Sequence, residues 1–142
     1  MKKSKRKCLT VLCLVIFIAG CATTSKKAFQ TNESQVALRS MQTRAFDTTD
    51  KKMMMQTILS AMQDLDFVIE KADLTLGSVT GAKYLGYSVV NMTVTVRARG
   101  ETQLLVRVNS QVGIKSVEDP ETYQDFFNVL EKALFLTAHQ VD

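Results

Sequence analysis

Val90-Asn91-Met92-Thr93-Val94-Thr95-Val96-Arg97-Ala98-Arg99-Gly100-Glu101-Thr102-Gln103-Leu104-Leu105-Val106-Arg107-Val108-Asn109 is the stretch whose patterning decides the fold. Val90, Met92, Val94, Val96 and Ala98 alternate with Asn91, Thr93, Thr95, Arg97 and Arg99. After a turn at Gly100, Leu104, Val106 and Val108 alternate with Leu105, Arg107 and Asn109. Successive side chains of a strand point to opposite faces, so this alternation predicts an antiparallel hairpin with one buried and one wet face. The buried face needs a cover.

Two amphipathic segments supply it. Upstream, Thr48-Thr49-Asp50 offers helix-capping oxygens, and Met54, Met55, Ile58, Leu59, Met62 and Leu65 recur at three- and four-residue steps. Lys52, Gln56, Thr57, Ser60 and Gln63 fall on the other side. The spacing predicts a helix from about Asp50 to Asp64. The run Met53-Met54-Met55 reads as core filling, because the unbranched thioether adapts to irregular space. Downstream, Asp119 precedes Pro120 as an N-cap. Tyr123, Phe126, Phe127, Leu130, Leu134 and Thr137 then form a stripe broadened by Val129, Ala133 and Leu136. This second helix, about Pro120 to Ala138, carries the largest apolar side chains, each worth about 1.5–3 kcal/mol when buried.

The remaining strands are shorter. Gln42 to Asp47 is long enough for a first strand, and Phe67 to Glu70 reads as another with Phe67 and Ile69 on one face. A turn over Asp73 to Gly77 leads into Ser78 to Lys83, where Gly81 marks a bulge or the close approach of another backbone. The expected fold class is α+β: a two-layer sandwich of an antiparallel sheet of four or five strands packed by two helices, in the order β-α-β-β-β-β-α, within residues 41–142.

The amino terminus carries a different signal. Lys2, Lys3, Lys5, Arg6 and Lys7 precede the twelve-residue apolar run Cys8 to Ala19, and Ile18-Ala19-Gly20-Cys21 places small residues before a cysteine. A bilayer-spanning helix needs about 20 apolar residues. The run is too short for that and has the build of a secretory signal. The Ile18–Cys21 stretch resembles the lipobox of bacterial lipoproteins, which implies cleavage before Cys21 and acylation of its thiol and amine, with palmitate as a typical chain. Residues 1–20 are then a signal peptide, and 21–40 the lipidated cysteine and a flexible tether. A short helix around Gln35 to Met41 is the alternative for the end of that tether. Several acyl chains anchor stably where one binds only marginally. Ala22 is not the Asp that retains lipoproteins at the inner membrane, so the resemblance favours an outer-membrane location facing the periplasm.

Removing the leader changes the chemistry of the chain. The 18 Lys and Arg lose five members and become 13, against 14 Asp and Glu, so the net charge passes from +4 to about −1. The basic character belongs to the precursor and gives no argument for nucleic-acid binding. Cys8 and Cys13 leave with the signal and Cys21 is acylated, so no thiol remains for a disulfide, a metal or catalysis.

Reactive groups are few. His139 is the only histidine and lies near the end, without a Cys or His at metal-binding spacing. No nucleophile elbow, Walker loop or dinucleotide fingerprint occurs. Asp64 and Asp66 read as surface carboxylates at a helix end, and Glu118, Asp119 and Glu121 as charge at a helix N-terminus. No enzyme, cofactor or metal is expected. The candidate partner face is the wet side of the hairpin, Thr93, Thr95, Arg97, Arg99, Leu105, Arg107 and Asn109. Polar residues of this kind also suit an ordinary solvated strand, and Leu105 among them is the detail that favours a contact.

Met41-Gln42-Thr43-Arg44-Ala45-Phe46-Asp47, Met62-Gln63-Asp64-Leu65-Asp66-Phe67 and Asp119-Pro120-Glu121-Thr122-Tyr123-Gln124-Asp125-Phe126-Phe127, together with the lipobox, resemble uncharacterised Gram-negative outer-membrane lipoproteins. In those relatives a Gly often stands where Asp66 is, so the helix–strand corner is expected to differ here. In architecture alone the order is similar to the helix-grip domains of BamC-like lipoproteins. The resemblance implies a non-enzymatic, membrane-anchored interaction module or accessory subunit of an envelope complex. The alternative is a periplasmic binder of a lipid or small apolar ligand between sheet and helix.

Overall fold

The computed structural model describes residues 35–138. The expected signal peptide, Cys21, the first part of the expected tether and His139 lie outside the described residues. A helical segment, α1 (35–41), occupies the end of the stretch read as a tether, so the helix is the alternative realised there. Leu38 packs against the core, and its carbonyl accepts the Gln42 N–H at 3.0 Å. That apolar contact gives the segment a reason to be helical. Residues from Ala37 onward belong to one compact unit.

The elements that follow are β1 (Thr43–Phe46), α2 (Lys51–Asp64), β2 (Val68–Asp73), β3 (Ser78–Leu85), β4 (Ser88–Arg99), β5 (Gln103–Val112), β6 (Lys115–Ser116) and α3 (Pro120–Ala138). The fold is α+β with a six-stranded antiparallel sheet in the order β1-β5-β4-β3-β2, and β6 also pairs with β5. The count of four or five strands is thus one short, because β6 is a two-residue strand with no alternation to announce it. Strands β3, β4 and β5 also run longer than the patterned residues, since ladder hydrogen bonds continue beyond the part that packs.

The period-two reading carries through to burial. Met92, Val94, Val96, Leu104, Val106 and Val108 are buried, with Val79 of β3 beside them. Ala98 is exposed although its partner Leu104 is buried, because the pairing of β3 with β4 stops at Ser78–Thr95 and leaves that side of β4 without a neighbouring strand. The buried sheet residues join Met54, Met55, Ile58, Ala61 and Met62 of α2 and Tyr123, Phe126, Phe127 and Leu130 of α3 in one apolar cluster. On α2 the buried face is shifted from the expected stripe: Thr57 and Ala61 are buried, while Leu59 and Leu65 are only half-buried. Thr57 is accommodated because its Oγ1 donates to the Met53 carbonyl at 2.9 Å, which satisfies the hydroxyl inside the helix.

The helix ends follow the capping chemistry in the sequence. Asp50 Oδ1 accepts the Met53 N–H at 2.8 Å, and the Asp119 carboxylate accepts the N–H groups of Glu121 and Thr122 at 3.3 Å each. At the far end of α2, Asp66 N–H reaches the Gln63 carbonyl and Phe67 N–H the Met62 carbonyl, both at 2.9 Å. This pair of bonds is the Schellman arrangement, and Asp66 takes its left-handed position with φ +64°. The corner therefore has the geometry a Gly would give, against the expectation that Asp66 would alter it. Gly81 is placed by close approach: a Cβ there would lie 2.9 Å from the Val68 carbonyl oxygen. The irregularity itself falls on β2, between Ile69 and Lys71.

Candidate interaction surface

Register builds the wet face row by row. Thr93 faces Asn109, Thr95 faces Arg107, Arg97 faces Leu105 and Arg99 faces Gln103. Strand β1 then lies on the other side of β5 and sets Thr43 against Arg107 and Ala45 against Leu105. These residues have the parity opposite to the buried valines, so they share the side of the sheet away from the cluster. Thr43, Thr95, Arg97, Leu105 and Arg107 line a shallow depression of about 170 Å³. Of the expected face, the depression gathers four members. Thr93 sits further along, its Oγ1 3.5 Å from that of Thr80, with Asn109 half-buried beside it. Arg99 lies beside the turn that closes the β4–β5 hairpin.

The electrostatics of this face are one-sided. Arg97, Arg99 and Arg107 are exposed, and among the described residues no carboxylate pairs with them. Arg97 and Arg107 are diagonal neighbours, a relation that spaces side chains by roughly 7–8 Å. At that distance two cations repel by only about 0.5 kcal/mol in water. The sheet tolerates the pair, and an anionic group placed between them gains from both. Leu105 is half-buried between the arginines and supplies the apolar floor. Thr43, which the sequence reading left out, contributes an Oγ1 that is buried and has no hydrogen-bond partner. Its signal was hidden, because membership of this face depends on β1 joining β5 across more than fifty intervening residues.

Arg44, its neighbour in sequence, points the other way. Arg44 lies opposite Val106, its Nη1 donates to Glu131 Oε1 of α3 at 2.7 Å, and its guanidinium carbon stands 4.6 Å from the centre of the Phe127 ring. Nearby, Gln42 Nε2 donates to the Tyr123 hydroxyl at 3.1 Å, and that hydroxyl donates to the Val117 carbonyl. These contacts hold α3 to the first strand and are structural.

A second hollow, of about 220 Å³, opens at one end of the core and is lined by Leu65, Phe67, Lys83, Leu85, Val90, Met92, Thr122 and Asp125. Lys83 Nζ is already engaged there, donating to the Leu65 carbonyl at 3.0 Å and lying 3.4 Å from Asp66 Oδ2. Among the described residues no group of three or more His, Cys, Asp or Glu is arranged to hold a metal ion, and no helix is long and apolar enough to cross a membrane. Comparison with known proteins found no protein family and no curated protein that matches the chain.

Proposed function

We propose that this protein is a membrane-anchored lipoprotein of the cell envelope, held by acyl chains on Cys21 at the outer membrane and facing the periplasm. In this reading its domain is a two-layer sandwich with α2 and α3 on one side of the sheet. The open side serves as a non-enzymatic interaction module, the accessory part of an envelope complex. The observation that carries the binding role is the pair of arginines without a carboxylate partner among the described residues, Arg97 and Arg107, in the depression they line with Thr43, Thr95 and Leu105. A guanidinium fork suits carboxylate recognition, so the partner surface is acidic. The Ile18–Cys21 stretch supports the anchor.

The test is photo-crosslinking in intact cells from a reactive side chain placed at Leu105. The expected product is a distinct protein partner, lost when Arg97 and Arg107 are both changed to Glu. Capture of nothing, or of this chain alone, counts against the interaction role. The hollow beside Leu65 and Phe67 motivates the second reading, a periplasmic binder of a lipid or small apolar ligand. It ranks second because its 220 Å³ falls below the roughly 300–1,000 Å³ of small-molecule sites.

A further inference from the structure

One end of the sheet exposes large apolar side chains on two turns, against Leu74 and Leu76 on a single turn at the other, and the interaction face does not explain them. Leu85 pairs with Ser88 to close the β3–β4 turn, and Val112 pairs with Lys115 to close the β5–β6 turn. Val90 faces Val112, which brings the two turns to the same end of the sheet. Both carry large apolar side chains outward. Tyr87 and Ile114 are fully exposed, and Tyr84, Leu85 and Val112 are exposed as well. The positive φ of Gly86 and Gly113 makes both reversals tight, so these side chains stand at the extreme tips and not along a covered flank. A soluble domain gains nothing from showing such a group to water.

Charge and chain direction bear on what covers it. The segments 83–90 and 111–116 contain no acidic residue; Lys115 is exposed beside Ile114, whereas Lys83 is engaged by the Leu65 carbonyl and Asp66. Tyrosine with an aliphatic neighbour and a nearby lysine suits the boundary between headgroups and acyl chains, where the ring is apolar and its hydroxyl stays wet. The first strand starts midway along β5 and leads away from this end. The Gln42 carbonyl accepts the Val108 N–H at 2.9 Å, and β1 then runs from Arg107 toward Leu104, away from the tips. From Cys21 to Ala37 is 16 residues, a reach of at most about 58 Å. An anchor at Cys21 keeps Ala37 within that distance of the bilayer, which leaves the domain close to its surface.

We infer that the tips Tyr84–Tyr87 and Val112–Ile114 dip into the membrane surface as a second, non-covalent contact beside the lipid anchor. The inference rests on the lipoprotein reading, since the anchor supplies the nearby bilayer. Two contacts on one domain set its orientation, and the Arg97–Arg107 face then stands sideways to the membrane, open to a partner in the same leaflet.

The chain contains no tryptophan, so one introduced indole reports alone. Full-length protein carrying Tyr87→Trp, and separately Ile114→Trp, is purified from its membrane and reconstituted into phosphatidylethanolamine–phosphatidylglycerol vesicles, with and without brominated acyl chains. Leu76→Trp, exposed at the opposite end of the sheet, is the control. Expected are emission at shorter wavelength and loss of most intensity in brominated vesicles for Trp at 87 and 114, with neither at 76. Protein that floats with the vesicles while the tips are unquenched overturns the inference and leaves the anchor standing. Protein that fails to float overturns both. Equal quenching at 76 and 87 overturns the oriented contact. A blue shift at 87 without bromine quenching assigns the tips to a protein surface or a second copy instead.

Discussion

Asp66 holds φ +64° just past the end of α2, and its side chain is largely in solvent beside Lys83. A left-handed conformation costs an L-residue roughly 1–2 kcal/mol, whereas a glycine there gives back about 0.4–1 through the freer unfolded chain. Asp66→Gly is therefore expected to stabilise the domain by about 0.5–1 kcal/mol, read as a higher urea midpoint at unchanged slope. The exposed contact with Lys83 subtracts little. Gly77 shows the reverse case. Its φ is +69°, and a Cβ would stand 2.5 Å from the Val96 carbonyl oxygen, on a residue already fixed by donating its N–H to the Gly77 carbonyl at 2.7 Å. Lys51 can swing aside, but that carbonyl cannot. Gly77→Ala is expected to cost about 2–3 kcal/mol by the same measurement. Gly77 was legible as a turn residue and Asp66 as a carboxylate at a helix end. Their sign was not, because it depends on φ and on an atom from a distant strand.

α3 binds the first strand and the second helix into one core, and its two ends of chemistry differ in weight. Phe127 is fully buried, 5.4 Å from Phe126 edge-to-face and 6.5 Å from Phe46. Phe127→Asp removes a fully buried ring and puts a carboxylate among Phe46 and Phe126; Arg44 close by cannot restore the lost packing, and the cost is comparable to the whole stability of a small domain. The expected outcome is loss of cooperative unfolding; an unchanged thermal midpoint would refute it. Arg44 is milder. Its pair with Glu131 is partly exposed, so Glu131→Ala is expected to cost about 0.5 kcal/mol, whereas Arg44→Ala also loses the ring of Phe127 and costs about 1–2. A double-mutant cycle at Arg44 and Glu131 separates the two contributions. The helix itself was readable from Asp119, Pro120 and its aromatic stripe. The inward direction of Arg44 was not, because Gln42 to Asp47 barely alternates and Glu131 stands 87 residues away.

Across the whole molecule, the tested consequence of the proposal is that anchor and surface act separately. Cys21→Ser is expected to leave the protein unacylated, seen by intact-mass measurement, and to release it from the membrane fraction. Arg97→Glu with Arg107→Glu is expected to abolish the crosslink while leaving the melting temperature within a few degrees, because both side chains are exposed on the open face. Local pattern determined much of this protein. Period-two alternation from Val90 to Asn109 wrote the central hairpin, three-and-four spacing wrote both helices, and Asp50 and Asp119 marked where the helices begin, since each signal is complete within a few residues of chain. Tertiary structure alone decided that β1 joins β5, which adds Thr43 to the arginine face, and that Val90 meets Val112, which turns two unremarkable loops into one apolar end. It also took Thr57 into the core and assigned six strands where patterning counted fewer. Pairing of distant strands is chosen by the summed burial of the finished core, and no short stretch of sequence contains that sum.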